Sequence, residues 1–213
     1  MARITVIGGT GYAGAAIVAE AAQRGFDVTS VSRHEPTNPV AGVAYVRGSA
    51  RDDQVRARAF DDADAVVTAT SPRGDMAQHH VALAEALAAA AGSTGVPLVV
   101  IGGFSSLRPA PDAPRFIEGE VPAEYRAEAL AGHAILEMLK KTPAEVQWIF
   151  VSPAAVFGAF APGEATGTYH LGGEVAILNS EGTSYISAHD LAKAVIDIIE
   201  SGEHRREHVS VVG

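Results

Sequence analysis

The chain has 213 residues, 47% hydrophobic and 19% charged, with 25 acidic against 16 basic side chains and a formal net charge of -9. That length supports one domain of moderate size with a sizeable core, and the acidic balance makes nucleic acid a poor partner, because gripping phosphates requires cationic surface. The absence of cysteine excludes disulfides, Cys-ligated zinc, iron–sulfur clusters and thiol catalysis. It fits a reducing cytoplasmic setting and means that redox chemistry must come from a bound cofactor.

The first residues, Met1 to Gly8, carry one arginine and a short apolar run but no signal-peptide core, and no run of about 18 apolar residues offers a membrane span. Short β-branched runs then alternate with alanine-rich stretches, the pattern of parallel strands joined by crossover helices. Strands are expected at residues 4–7, 27–31, 44–47, 65–68, 98–102 and 147–151, with helices to about residue 24 and at 51–60, 75–91 and 123–141. Near-continuous apolar strands such as Pro97-Leu98-Val99-Val100-Ile101 suit a sheet covered on both faces, so the expected architecture is a doubly wound, parallel α/β sheet in one domain. Residues 152–187 turn to Pro, Gly and aromatics before a last helix at 188–200 and a last strand at 208–212. That stretch reads as an excursion over the strand ends, where ligands of such sheets bind, and is expected to cover a substrate.

Gly8-Gly9-Thr10-Gly11-Tyr12-Ala13-Gly14 follows the first strand and opens a helix. Gly8 permits the tight turn, Gly11 lets a pyrophosphate approach the backbone, and Gly14 lets the helix pack closely. The N–H groups of Thr10 to Ala13 are then expected to face phosphates at a helix N-terminus. Where NAD enzymes usually carry an acid at the end of the second strand, this chain has Ser32-Arg33-His34. A guanidinium pairs with a 2′-phosphate that a carboxylate would repel, so NADP(H) is expected in preference to NAD(H). No P-loop sequence occurs, which argues against ATP hydrolysis.

GGTGYAG at the start, GGFSSL at 102–107, VSPAAVF at 151–157, PGEATGTYHLGG at 162–173 and ISAHDLA at 186–192 together resemble the atypical short-chain dehydrogenase/reductases. Within that group the likeness is to NAD(P)H-binding, NmrA-like proteins related to NADH-flavin reductases and to biliverdin-IXβ reductase. The resemblance implies a Rossmann-type fold and hydride transfer from NADPH to a planar acceptor. It implies that Ala69, Thr70, Ser71, Ser152, Pro153 and Ala154 lie along the ribose and nicotinamide, and Gly102 and Gly103 are further cofactor-binding candidates. Relatives commonly have Gly-Asp after the third strand; here Gly48-Ser49 stands there, and Ser49 is the candidate beside adenine.

Typical members of the wider superfamily use a serine and a YxxxK pair, in which the lysine makes the tyrosine an effective acid/base. Ser106 and Tyr125 are the candidates here, but Ala129 replaces the lysine, and His133 follows on the same helical face. Reducing a flavin or quinone tolerates this loss, because the proton can come from solvent. Phe104, Phe157, Phe160 and Tyr169 are the candidates for stacking on a planar substrate. The alternative is a non-catalytic NADP(H)-sensing regulator. Among eight histidines, His79 and His80 adjoin on a helix and point apart, while His204 and His208 flank a charged turn, so no metal site is expected. Oligomeric state is left open.

Overall fold

The computed structural model describes residues 2–213. The chain runs β1 (Arg3–Ile7), α1 (Tyr12–Gln23), β2 (Asp27–Ser32), β3 (Ala44–Arg47), α2 (Asp53–Phe60), β4 (Ala65–Thr68), α3 (His80–Thr94) and β5 (Leu98–Ile101). It continues through α4 (Ala123–Lys140), β6 (Trp148–Pro153), β7 (His170–Gly172), α5 (Ala188–Ser201) and β8 (Glu207–Val212). Among the described residues the strands form one sheet in the order β3-β2-β1-β4-β5-β6-β8-β7, parallel except for β7.

Successive side chains of a strand face opposite ways, and here both faces are apolar because both are covered. Val99, Ile149 and Val151 point to the side closed by α1 and α5, where they meet Ile17, Val18, Leu191 and Val195. Val100, Trp148 and Phe150 point to the side closed by α2, α3 and α4, against Phe60, Leu87, Ile135 and Leu139. Strand order reverses between β1 and β4, which both pair with their neighbours in parallel. Connections from these two strands leave in opposite directions and open a crevice at their carboxyl ends.

Two elements differ from expectation. The helix expected at 75–91 begins only at His80, after a short 3-10 turn at Gly74–Met76. Asp75 is drawn outward to Arg33 while Met76 is buried in the core, so the chain turns once before the helix can start. Strand β7 arises inside the 152–187 excursion and pairs antiparallel with β8, Leu171 opposite Val211. Three residues ending in glycine are too short to show strand alternation in the sequence. No helix among the described residues is long and apolar enough to cross a membrane.

The excursion is tied down at Asp190, in the first turn of α5 and 2% exposed. Its carboxylate accepts from the N–H groups of Thr166 (3.0 Å) and Gly167 (2.8 Å) and from the Ser187 hydroxyl (2.8 Å). Burial opposes its ionisation, but these donors outweigh burial and hold its pKa below the ordinary carboxylate value. A depressed folded-state pKa contributes stability above the unfolded value of about 4, which is lost as pH falls through the folded one. Asp190→Ala is therefore expected to cost about 1.5–3 kcal/mol in urea unfolding at pH 7. The difference between variant and parent should shrink on acidification below about pH 4.

Candidate functional site

The turn between β1 and α1 is built by close backbone approach. Gly8 has φ +83°, and a Cβ on Gly14 would lie 2.2 Å from the Gly8 carbonyl oxygen. Gly11, at the N-cap with φ -80°, needs no left-handed backbone; a Cβ there would meet only Gly8 O, at 3.3 Å, and the residue lines the crevice. Its bareness keeps the crevice floor open.

The N–H groups are shared out differently from the expectation. Thr10 N–H donates to Ser32 Oγ (3.2 Å) and Gly11 N–H to Gly8 O (3.0 Å), so these two shape the turn. Among the unpaired N–H groups at the start of α1, those of Tyr12 and Ala13 are on residues that line the crevice. That leaves a smaller cradle than the sequence suggested, of the kind that fits a pyrophosphate oxygen.

Two contiguous clefts meet at Gly11, Ala69, Thr70, Ser71 and Arg73. One, of about 440 Å³, is lined by Gly8, Thr10, Ser32, Arg33, His34, Glu35 and Ser49. Its residues fit the adenosine half of a dinucleotide, with the Arg33 guanidinium held by Asp75. The other, of about 580 Å³, has Gly102, Gly103, Pro153 and Ala154 on its floor, and Phe104, Ser106, Tyr125, Phe157 and Phe160 on its walls. Gly102 is bare because the Phe150 ring occupies the space of a Cβ, with only 2.1 Å between them. Tyr12 packs on Phe157 with ring centroids 5.3 Å apart, and Phe104 on Phe116 at 4.7 Å. Phe160 is 69% exposed at the mouth.

Three expectations are corrected. Ser152 is fully buried and does not line either cleft. Its hydroxyl donates to Gly103 O and sits 2.9 Å from His208 Nε2, so it braces the floor from behind. Tyr169 points away from the crevice. Its hydroxyl donates to Asp197 on α5, and its ring packs on the α1 and α5 side of the core. Burial and that carboxylate raise its pKa to about 12. His208, expected beside a charged turn, stands in β8 edge-on to Phe150, and burial, with Arg115 nearby, lowers its pKa to about 3. His133 does not line the cleft, so it cannot replace the missing lysine there.

Several lining residues were not legible as such. His80 opens α3, is 7% exposed and donates through Nε2 to the Thr70 carbonyl (3.0 Å), with Thr70 Oγ1 at 3.2 Å. Burial lowers its pKa, so it is a neutral brace for Thr70. Arg73 and Glu128 form an ion pair across the larger cleft, Nε to Oε2 at 2.9 Å. Behind Ser106, the buried Arg115 donates to the Ser106 carbonyl and to Glu174, which also lies 3.4 Å from Arg108. No local sequence pattern marks these pairings, and those of Arg73 with Glu128 and Arg115 with Glu174 join segments more than 50 residues apart.

A doubly wound sheet with a glycine turn at its switch point defines a Rossmann-type nucleotide-binding architecture. The chain belongs to the NAD(P)H-binding family whose profile matches residues 8–202. It is 33% identical to an uncharacterised protein of Bacillus subtilis, YwnB, over 99% of this chain and 98% of that protein. A Streptococcus pneumoniae structure described as "a putative NADH-flavin reductase" is similar at 30% identity and TM-score 0.88, covering 100% of this chain and 99% of that one. A Burkholderia pseudomallei structure described as a "putative exported protein" is similar at 36% identity and TM-score 0.87, covering 100% of each chain.

The two glycines separate folding from binding. Gly11→Val should fold, because its backbone angles suit any residue, but should lose dinucleotide binding in calorimetry because the side chain fills the phosphate path. Gly14→Val should unfold at lower urea, since its Cβ would collide with backbone.

Proposed function

We propose that this protein is an NADPH-dependent reductase that passes hydride to a planar acceptor of the flavin or quinone class, in the cytoplasm. The observation that carries the reading is the cleft wall where an acid/base pair would stand. Tyr125 and Ala129 line it one turn apart on α4, and no lysine does. Lys140 pairs with Glu137, and Lys193 donates to the Gly167 carbonyl, both away from the cleft. Without a lysine one turn on, a tyrosine is a poor base at neutral pH, which disfavours alcohol oxidation and sugar epimerisation. A dinucleotide held here would supply the hydride, and the open mouth beside the exposed Phe160 would let solvent supply the proton. The chain's residues orient and enclose: Phe104 and Phe157 offer flat apolar walls, and the Thr70 loop, braced by His80, lies where the two clefts meet. The name of the Streptococcus pneumoniae relative supports the same class of acceptor.

The preference for NADP(H) rests on Arg33, which lines the adenosine cleft directly after β2. A 2′-phosphate there must compete with Asp75 for the guanidinium. Arg33→Ala should weaken NADPH by about 1–3 kcal/mol, the scale of a charged hydrogen bond, and leave NADH nearly unchanged. Asp75→Asn should move selectivity the other way. Equal losses for both cofactors in the Arg33 variant would remove the assignment.

An NADPH-oxidation assay across FMN, riboflavin and simple quinones tests the activity; NADPH binding with turnover of none would leave a dinucleotide-binding regulator. In the active enzyme, Tyr125→Phe should lower turnover by less than about tenfold, since positioned acid/base catalysis contributes 10²–10⁴-fold where it operates. A thousandfold loss with NADPH affinity intact would make Tyr125 the proton donor.

A further inference from the structure

The acceptor cleft and the adenosine cleft differ in charge. Arg33, His34, Glu35 and Arg73 line the adenosine side. In the acceptor cleft the formally charged lining residues are Arg73 and Glu128 alone, and they neutralise each other. The contact is two-pronged: Arg73 Nε donates to Glu128 Oε2 at 2.9 Å and Nη2 to Oε1 at 3.3 Å, so the carboxylate occupies one edge of the guanidinium with both oxygens. Arg73 comes from the loop after β4 and Glu128 from α4, so the pair joins two separate elements that line the cleft. His80, the other titratable nitrogen on the lining, is kept neutral by burial. The remaining surface is aromatic, aliphatic, glycyl or hydroxyl.

We propose that this cleft selects uncharged planar acceptors over anionic ones, with Glu128 as the selectivity residue that keeps Arg73 from serving as an anion anchor. The inference rests on the reductase reading and narrows its substrate class. A phosphate, sulfonate or carboxylate on the acceptor meets only a guanidinium whose charge Glu128 already offsets. It must either sit beside the Glu128 carboxylate or draw Arg73 away and leave that carboxylate unpaired. The pair is partly exposed, with side chains 66% and 36% accessible, so the discrimination is moderate rather than absolute. The chain's net charge of -9 acts in the same direction. An uncharged isoalloxazine or naphthoquinone needs only the flat walls of Phe104 and Phe157.

Riboflavin and FMN share one ring system and differ by a phosphate, so they isolate the charge. Both are titrated by quenching of flavin fluorescence against protein saturated with NADP⁺, which keeps the flavin out of the dinucleotide half. Riboflavin should bind about two- to fivefold more tightly than FMN. Glu128→Gln should shift the affinity ratio toward FMN by about two- to fivefold, and Arg73→Gln should shift it toward riboflavin. FMN binding as tightly as riboflavin to the parent protein, or an unchanged ratio in both variants, would overturn the proposal while leaving the reductase reading standing. If neither flavin quenches, NADPH oxidation with 1,4-naphthoquinone and its 2-sulfonate decides: preference for the parent quinone supports the proposal, and preference for the sulfonate overturns it. Failure of all four compounds to bind or turn over would overturn both the proposal and the reading on which it rests.

Discussion

Helix α1 approaches the end of β1 so closely that there is no room for a methyl group between Gly14 and the Gly8 carbonyl. This contact sets the angle at which α1 leaves the sheet, and so where its free N–H groups point. It also brings Gly8 against the backbone of Ala69, 2.9 Å from where a Cβ would stand, and so ties the β1 turn to the loop after β4. That loop carries Thr70, Ser71 and Arg73 to the junction of the two clefts. One steric constraint thus positions both the phosphate cradle and the start of the acceptor wall.

The far wall is held by different means. The carbonyl of Pro162 accepts from Tyr185 (2.7 Å) and Tyr12 (3.3 Å), which draws the excursion toward the glycine turn. Asp190 holds Thr166 and Gly167, and β7 stitches the remainder to the sheet edge. Lining of the cleft by this excursion is confined to residues 153–160, where Phe157 and Phe160 stand. A tethered wall with an open mouth suits an acceptor that enters and leaves while the dinucleotide half stays formed.

Polar groups behind the site act mainly by bracing. Ser152 and His208 hold the Gly103 carbonyl from below, His80 holds Thr70, and Arg115 holds Ser106. Ser152, His80 and Arg115 are buried and His208 is half-buried, where an ionised or unpaired group is costly, which accounts for the lowered histidine pKa values and for the pairing of Arg115 with Glu174. The chemistry left exposed to a substrate is correspondingly sparse: hydroxyls, aromatic faces and one neutralised ion pair.

Local pattern determined much of this molecule. Apolar runs such as residues 98–101, with periodic alanine-rich stretches between them, specify covered parallel strands and crossover helices. The GxxGxxG spacing after β1 specifies the turn, because only glycine satisfies the positive φ at Gly8 and the contact at Gly14. Ala129 in place of lysine was likewise readable, since residues four apart share a helical face. What the sequence alone left undecided depends on pairings between distant segments. Tyr169 and Phe157 look alike as aromatics in one glycine-rich excursion, yet the return of β7 to the sheet turns Tyr169 toward Asp197 and leaves Phe157 on the cleft. Arg33 was legible as a cation after β2, but its engagement by Asp75, 42 residues on, was not. The pairing of Arg73 with Glu128 spans 55 residues and exists only because the sheet brings the β4 loop opposite α4. Side-chain type is written locally, whereas the partner that neutralises a charge or buries a ring is chosen by the packing of the whole chain.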